Sequence, residues 1–513
     1  MKRILAFILI LMLILTTGCG KEITENKVVT TDVVTEKNEE PEVQSGSITL
    51  TSRKPDTFNP LATNYESCRE LFYIFYDGLF ALNEDFSVRA NLAEEIIMSE
   101  DNLTGILKIK GGISFADGTP LTAEDVLYSV EFIKNNGGSF LGCVNNIKEI
   151  EVADSRCLVI RLNKPEANFA SMLIFPVIKD GTPYFIEYPN GTGQFAAKKE
   201  DCGYTSLVCE RNASYHLGEP KIDSINVVYT NTDIKAETGF LTGELDVIVD
   251  PGFRAEQQGE NVTVYDINSN RFEFIGFNSA KGIFSDESAR KAIFESCDRN
   301  ALLEEFEKIK KVASVPINPE VYFYTDEVEM KGSGNIHEIL ERNGWTIGGN
   351  GIYVKEGTEF SFSILVNSDN AERVSIANYL SHTLLPYGIS VDVEILSYEE
   401  YKERLTKGDY DAFMGGCSIG NPANPGFLLG TGGSANVLGY SDTAMDMKLE
   451  AMSIATGDKL KEEAVGFGKA VSEKAPLSGI YFRTIKVFAK NHIVIPEFSP
   501  TGVYVTTYLW SIT

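Results

Sequence analysis

The stretch "LKIKGGISFADGTPLTAEDVLYSVEFIK", residues 107–134, sets Asp117, Glu124 and Asp125 around a turn and a helix start. Asp117-Gly118 is a turn dipeptide, in which glycine supplies the positive φ that most residues avoid. Thr122 stands three residues before Asp125, the spacing by which a hydroxyl and a carboxylate satisfy the free N–H groups of a first helical turn. Acidic groups there also meet the positive end of the helix dipole. Val126, Leu127, Val130 and Ile133 follow at helical spacing, so one face is apolar. The three carboxylates read as structural.

Working outward, the chain of 513 residues can form several domains or two large lobes. Its 43% hydrophobic and 23% charged residues are those of a globular protein. A formal net charge of -27 repels phosphate backbones, so no nucleic-acid partner is expected. At the N-terminus, "MKRILAFILILMLILTTGCGKE" (1–22) runs from a basic start through apolar Ile4–Leu15 to small residues ending at Cys19. That order is an export signal. With the Gly18-Cys19 junction it resembles a bacterial lipoprotein signal, although Thr16 stands where such signals usually carry Leu. The expectation is a signal peptide over 1–18, a lipidated Cys19 and a polar, flexible tether over 19–45. Beyond it, no apolar run approaches the roughly 18 residues a membrane helix needs. Seven of the eight cysteines follow Cys19 without any C-x-x-C pair, which supports neither a zinc site nor a full disulfide framework. Cys202 and Cys209 could close a small loop; most of the others read as buried free thiols.

Strand-like alternation marks 47–52, 158–162, 206–210 and 225–230. A strand–helix–strand unit follows: "FSFSILV" (360–366), a helix with Val374, Ala377, Leu380 and Leu384 on one face, and "ISVDVEIL" (389–396) with Ile389, Val391, Val393 and Ile395 on one side. This is βαβ grammar, which places helices on the faces of a sheet. One phrase occurs twice. "FLTGELDVIV" (240–249) and "RLTKGDYDAFM" (404–414) each end a helix at a glycine and enter a strand through Asp, so the two halves read as lobes of similar construction.

With these pieces in order, the chain from about residue 47 to 500 resembles the extracytoplasmic solute-binding proteins of peptide ABC importers, the oligopeptide- and dipeptide-binding family. The opening stretch carries most of the resemblance. "DTFNPL" (56–61), "IFYDGLFALNEDFSVRANLAEEI" (74–96), "GTGQF" (191–195), "FIGFNSAKGIFSDESARKAIFESCDRNAL" (274–302) and "APLSGIYF" (475–482) add to it. The resemblance implies an α/β, two-lobed periplasmic-binding-protein-like fold of type II with an extra domain, mixed sheets flanked by helices, and a ligand cleft between the lobes. Domain I would be discontinuous (46–75, 190–275 and 476–513), with domain II over 76–189 and domain III over 276–475. Hinges would lie near Phe274 and Phe482. The implied role is not enzymatic. A lipid-anchored, extracytoplasmic monomer would capture peptides, with oligopeptides the expected class, and deliver them to permease and ATPase subunits, using no cofactor or metal.

Two departures bear on the ligand. Peptide binders of this family often carry Trp-x-x-Asp after the Gly-Gly strand, with the Asp pairing the peptide's amino terminus; here "GGCSIGNPANP" (415–425) puts Cys417 at the Trp and Gly420 or Asn421 at the Asp. Dipeptide binders use an Arg in the loop after the 360–366 strand, whereas the loop "NSDNAER" has its Arg at 373, at the helix start. By position, Tyr65, Cys417, Ser418 and Asn421 are the candidate ligand-lining residues. A non-peptide solute and a surface sensor are the alternative roles. Gly416-x-Ser418-x-Gly420 also matches a hydrolase nucleophile elbow with His492 as its base. Pro422 and Pro425 disfavour the helix such an elbow requires.

Overall fold

A computed structural model describes residues 46–251, 261–306, 309, 311–329 and 335–513; Cys19, the 1–18 signal and the 19–45 tether lie outside them. The opening stretch folds as its local chemistry dictates. Gly118 takes φ +83°, and Asp117 accepts the Thr119 N–H at 3.0 Å and pairs with Lys179 at 2.6 Å. Asp125 accepts the Thr122 N–H at 2.7 Å and the Asp180 N–H at 2.8 Å. The helix Ala123–Asn136 then buries Val126, Val130 and Ile133. It lies in one core with the four-stranded antiparallel sheet Ala93–Met98, Thr104–Ile109, Cys157–Leu162, Ile147–Asp154.

A second four-stranded sheet begins with Ser47–Ser52, parallel to Ser224–Tyr229, followed by Ser206–Arg211 and Phe195–Ala196. Alternation buries Ile48 and Leu50 and turns Ser47, Thr49 and Thr51 outward. The largest sheet runs in the order Val247–Val249, Leu477–Lys490, Val262–Phe277, Ala412–Ser418, Ser361–Asn367, Ser390–Leu396, with Lys311–Val312 also on Leu477–Lys490.

Two of its strands are unusually long. Val262–Phe277 has 16 residues and Leu477–Lys490 has 14, against a typical strand of about 5–6. They pair along their lengths but slip register between Asn268/Phe272 and again at Glu273/Phe274. On one side of the slip Val262–Asn268 meets Thr484–Lys490, whose other edge takes Val247–Val249. On the other side, 272–276 meets 477–482 while 271–277 pairs with Ala412–Ser418. The same two strands thus change partners along their length.

The repeated phrase has one physical job in both places. Gly243 and Gly408 end their helices at φ +82° and +63°. Asp246 then accepts the Thr49 N–H at 2.7 Å, and Asp411 the Ser363 N–H at 3.0 Å, so each carboxylate ties a neighbouring strand. The βαβ unit forms with Ser361–Asn367 parallel to Ser390–Leu396. Its helix Ala371–Leu384 buries Arg373, Ile376, Ala377, Leu380 and Leu384, so the inward face is rotated toward 373 and 376 and leaves Val374 only half-buried. Ile395, expected inside, is half exposed because its strand ends the sheet. All seven described cysteines are free, Cys202 and Cys209 included. Among the described residues no helix is long and apolar enough to cross a membrane.

Candidate ligand cleft

The region around the register slip is built by strand periodicity. On Val262–Phe277, Phe272 and Phe274 point to one core, and Ile275 and Phe277 to another. Glu273 shares the second face, under the helix Ala371–Leu384, and is only 2% exposed. A carboxylate buried there requires a partner. Arg373, also buried, supplies it: Nε donates to Glu273 at 2.7 Å and a second guanidinium nitrogen to Asn367 at 3.1 Å. Arg271 approaches the same carboxylate at 3.3 Å. The backbone at Gly416 runs directly over this pair; a Cβ there would stand 2.3 Å from Arg373 and 2.4 Å from Glu273. Gly416 is therefore a steric consequence of the buried ions, whereas a Cβ at Gly415 would meet the Phe413 ring at 2.6 Å.

Ala412–Ser418 is where the sheet opens. It pairs with Val262–Phe277 throughout, but with Ser361–Asn367 only at Ala412 and Phe413. From Gly415 to Ser418 its other edge has no strand partner among the described residues, leaving main-chain donors and acceptors available. The following Ile419 is pinned to the slip: its N–H donates to the Asn270 carbonyl at 2.8 Å, and the Asn270 side chain donates back to its carbonyl. Ser269 and Asn318 brace the same bulge, at 2.6 and 3.1 Å.

The candidate ligand residues fall into two groups. Cys417 is half-buried and Ser418 exposed, both on the open edge; Asn421 is buried and accepts the Ala423 N–H at 2.9 Å. Burial pushes the Cys417 thiol up to about 12, with Glu273 adding to the rise, so it stays protonated at neutral pH. Tyr65 caps the helix Glu66–Phe72 and stacks under Arg53 at 4.1 Å. It packs on the first core, and none of its hydrogen bonds or ring contacts reaches the 417–421 segment. Of the residues expected near the hinge, Phe274 and Phe482 each pack on Phe272, at 5.5 and 5.0 Å.

Sequence reasoning missed the charges of the crossing. Asp250, Glu372, Tyr481, Arg483, Thr484 and Lys486 line a shallow depression. Arg483 pairs with Asp250, and Lys486 reaches Asp266 at 3.4 Å. One signal was present: Glu273 interrupts the apolar run "FEFIGF" (272–277), and an acid at a core-facing register demands a buried cation. No hydrolase assembles around Ser418. Its proposed base, His492, is paired with Asp246 at 3.3 Å on the other half of the long strands. The residues after Ser418 are irregular up to the single turn Gly426–Leu429.

Comparison with known proteins agrees with this geometry. The family model for bacterial extracellular solute-binding proteins, family 5 Middle, matches residues 87–438. The oligopeptide-binding protein AppA of Bacillus subtilis strain 168 is 24% identical over 486 residues, spanning 88% of each chain. The solved structure of AppA from Bacillus subtilis in complex with a nonapeptide superposes with a TM-score of 0.71 at 22% identity, over 92% of this chain and 99% of that one. NikZ from Campylobacter jejuni in complex with Ni(L-His) gives a TM-score of 0.71 at 18% identity, over 91% and 99%. At these identities the superpositions speak for the fold.

Proposed function

The chain belongs to the bacterial extracellular solute-binding proteins of family 5, and from that membership we propose that it captures oligopeptides and delivers them to the permease of an ABC importer. The observation that carries the peptide reading is the open strand edge at Gly415–Ser418. An extended peptide can pair its main chain there whatever its sequence, while its side chains enter tolerant, hydrated pockets. Arg373 is the Arg that follows the 360–366 strand, where dipeptide binders of the family carry theirs, and Glu273 already pairs it. That favours longer peptides held by backbone contacts over a strict dipeptide ligand. The nonapeptide bound by AppA supports the same length class.

Domain I (46–75, 190–275, 476–513), domain II (76–189) and domain III (276–475) are the closing units in this reading. Phe274 and Phe482 act as hinge residues, Tyr65, Cys417, Ser418 and Asn421 as ligand-lining residues, and Cys19 as the lipid attachment of a monomer. The change of strand partners at the register slip supports the hinge, and the basic, apolar, Gly-Cys order of the N-terminus supports the anchor. A second reading, a non-peptide solute such as a metal chelate, draws on NikZ with its Ni(L-His) and on the occupied Arg373. Native mass spectrometry of the purified protein, followed by denaturation, separates the two. A ladder of released masses that fragment as peptides supports peptide capture. A single non-peptide mass sinks it.

A further inference from the structure

Glu166 takes no part in the cleft described so far, yet it is only 4% exposed. It lies between the strand Cys157–Leu162 and the turn Phe169–Met172, and its N–H donates to the Asn102 carbonyl at 3.1 Å. Its carboxylate accepts the Asn424 amide at 2.8 Å and the Asn168 N–H at 3.4 Å. Both donors are neutral, although an isolated buried carboxylate is costly. The next two residues continue the grip. Ala167 N–H reaches the Ser453 carbonyl at 2.9 Å, and the Asn168 side chain reaches the Ala455 carbonyl at 3.2 Å.

The segment held by Glu166 is "IGNPANP" (419–425), directly after the open edge. Two prolines remove backbone donors, and no helix or strand supports residues 419–425. Asn421, within this segment, is only 6% exposed. A loop without its own ladder takes its conformation from whatever side chains grip it.

We infer that Glu166 is a positioning residue for ligand capture: by holding Asn424 it sets the path of 419–425, and with it the presentation of the Gly415–Ser418 edge, while touching no ligand itself. The inference rests on the reading that this edge receives the ligand. Hydrogen–deuterium exchange of the full chain without ligand tests the hold directly. Glu166→Ala is expected to speed exchange of 414–430 roughly tenfold, with the helix Ala123–Asn136 unchanged. Glu166→Gln, which keeps an oxygen for the Asn424 amide, is expected to restore most of the protection. Capture of a randomised nonapeptide library, read by native mass spectrometry, is expected to fall in Glu166→Ala and recover in Glu166→Gln. Unchanged exchange at 414–430 overturns the inference. So does faster exchange spread over the whole chain, or local loosening with undiminished capture. Should the unaltered protein retain no nonapeptide, the peptide reading fails, and the exchange arm alone decides whether Glu166 holds the loop.

Discussion

At Gly416 the strand lies so close to the Arg373–Glu273 pair that any side chain meets both ions. Gly416→Ala is expected to force the pair apart and cost about 2–4 kcal/mol, the scale of overpacking combined with a disturbed buried ion pair. Urea midpoints would read it. Arg373→Ala removes the main partner of Glu273 and is expected to cost about 3–5 kcal/mol, because a charge is left buried. A third residue gives the protein a pH dependence. Burial pushes the Glu70 carboxyl up from 4.5 to about 7, opposed by the Val503 N–H that it accepts at 2.9 Å. The folded protein therefore keeps a proton that the unfolded chain has released, so stability falls as pH rises from about 4.5 to 7 and then levels off. Glu70→Gln is expected to flatten that slope in denaturation series at pH 5 and pH 8; an unchanged slope would assign it to other groups.

At the scale of elements, the sequence was legible wherever local chemistry is self-sufficient. Asp125 satisfies its own helix start and the Asp180 N–H. Asp125→Ala is accordingly expected to cost about 1–2 kcal/mol, read as a lowered thermal midpoint. The Gly-then-Asp phrase read correctly as a helix end and a strand entry, but its reach did not. Nothing in residues 240–249 says that Asp246 will bond Thr49, nearly two hundred positions away. The helix Ala371–Leu384 shows the limit of periodicity. Counting apolar residues placed Val374 on the inner face, whereas the buried charge of Glu273 draws Arg373 inward and rotates the face.

For the whole molecule, the proposed hinge rests on two long strands that change partners along their length. Their register slip, braced by Ser269, Asn270 and Asn318, is the place where pairing partners change. Phe482 packs against Phe272 just beside it. Phe482→Ala is expected to destabilise the fold by about 3–5 kcal/mol, the usual range for an emptied aromatic site. It should also weaken peptide capture if the stack sets the closing geometry. Solution scattering of the unaltered protein with and without bound peptide is expected to show a smaller radius of gyration on binding. An unchanged radius would argue against hinge closure.

The sequence by itself determined the turn and capped helix of 107–134, the βαβ unit, the two-lobed class and the family. Each of these rests on patterns that are short in sequence or repeated in a fixed order. Only the tertiary structure decided which side chains share a space: the Arg373–Glu273 pair under Gly416, the open edge at Gly415–Ser418, and the grip of Glu166 on Asn424. It also packed Tyr65 on one hydrophobic core and Cys417 on another. The physical reason is distance along the chain. Capping and amphipathic spacing act within a few residues, whereas the partner of a buried charge or a ligand-facing loop is set by packing between segments 100 to 258 residues apart.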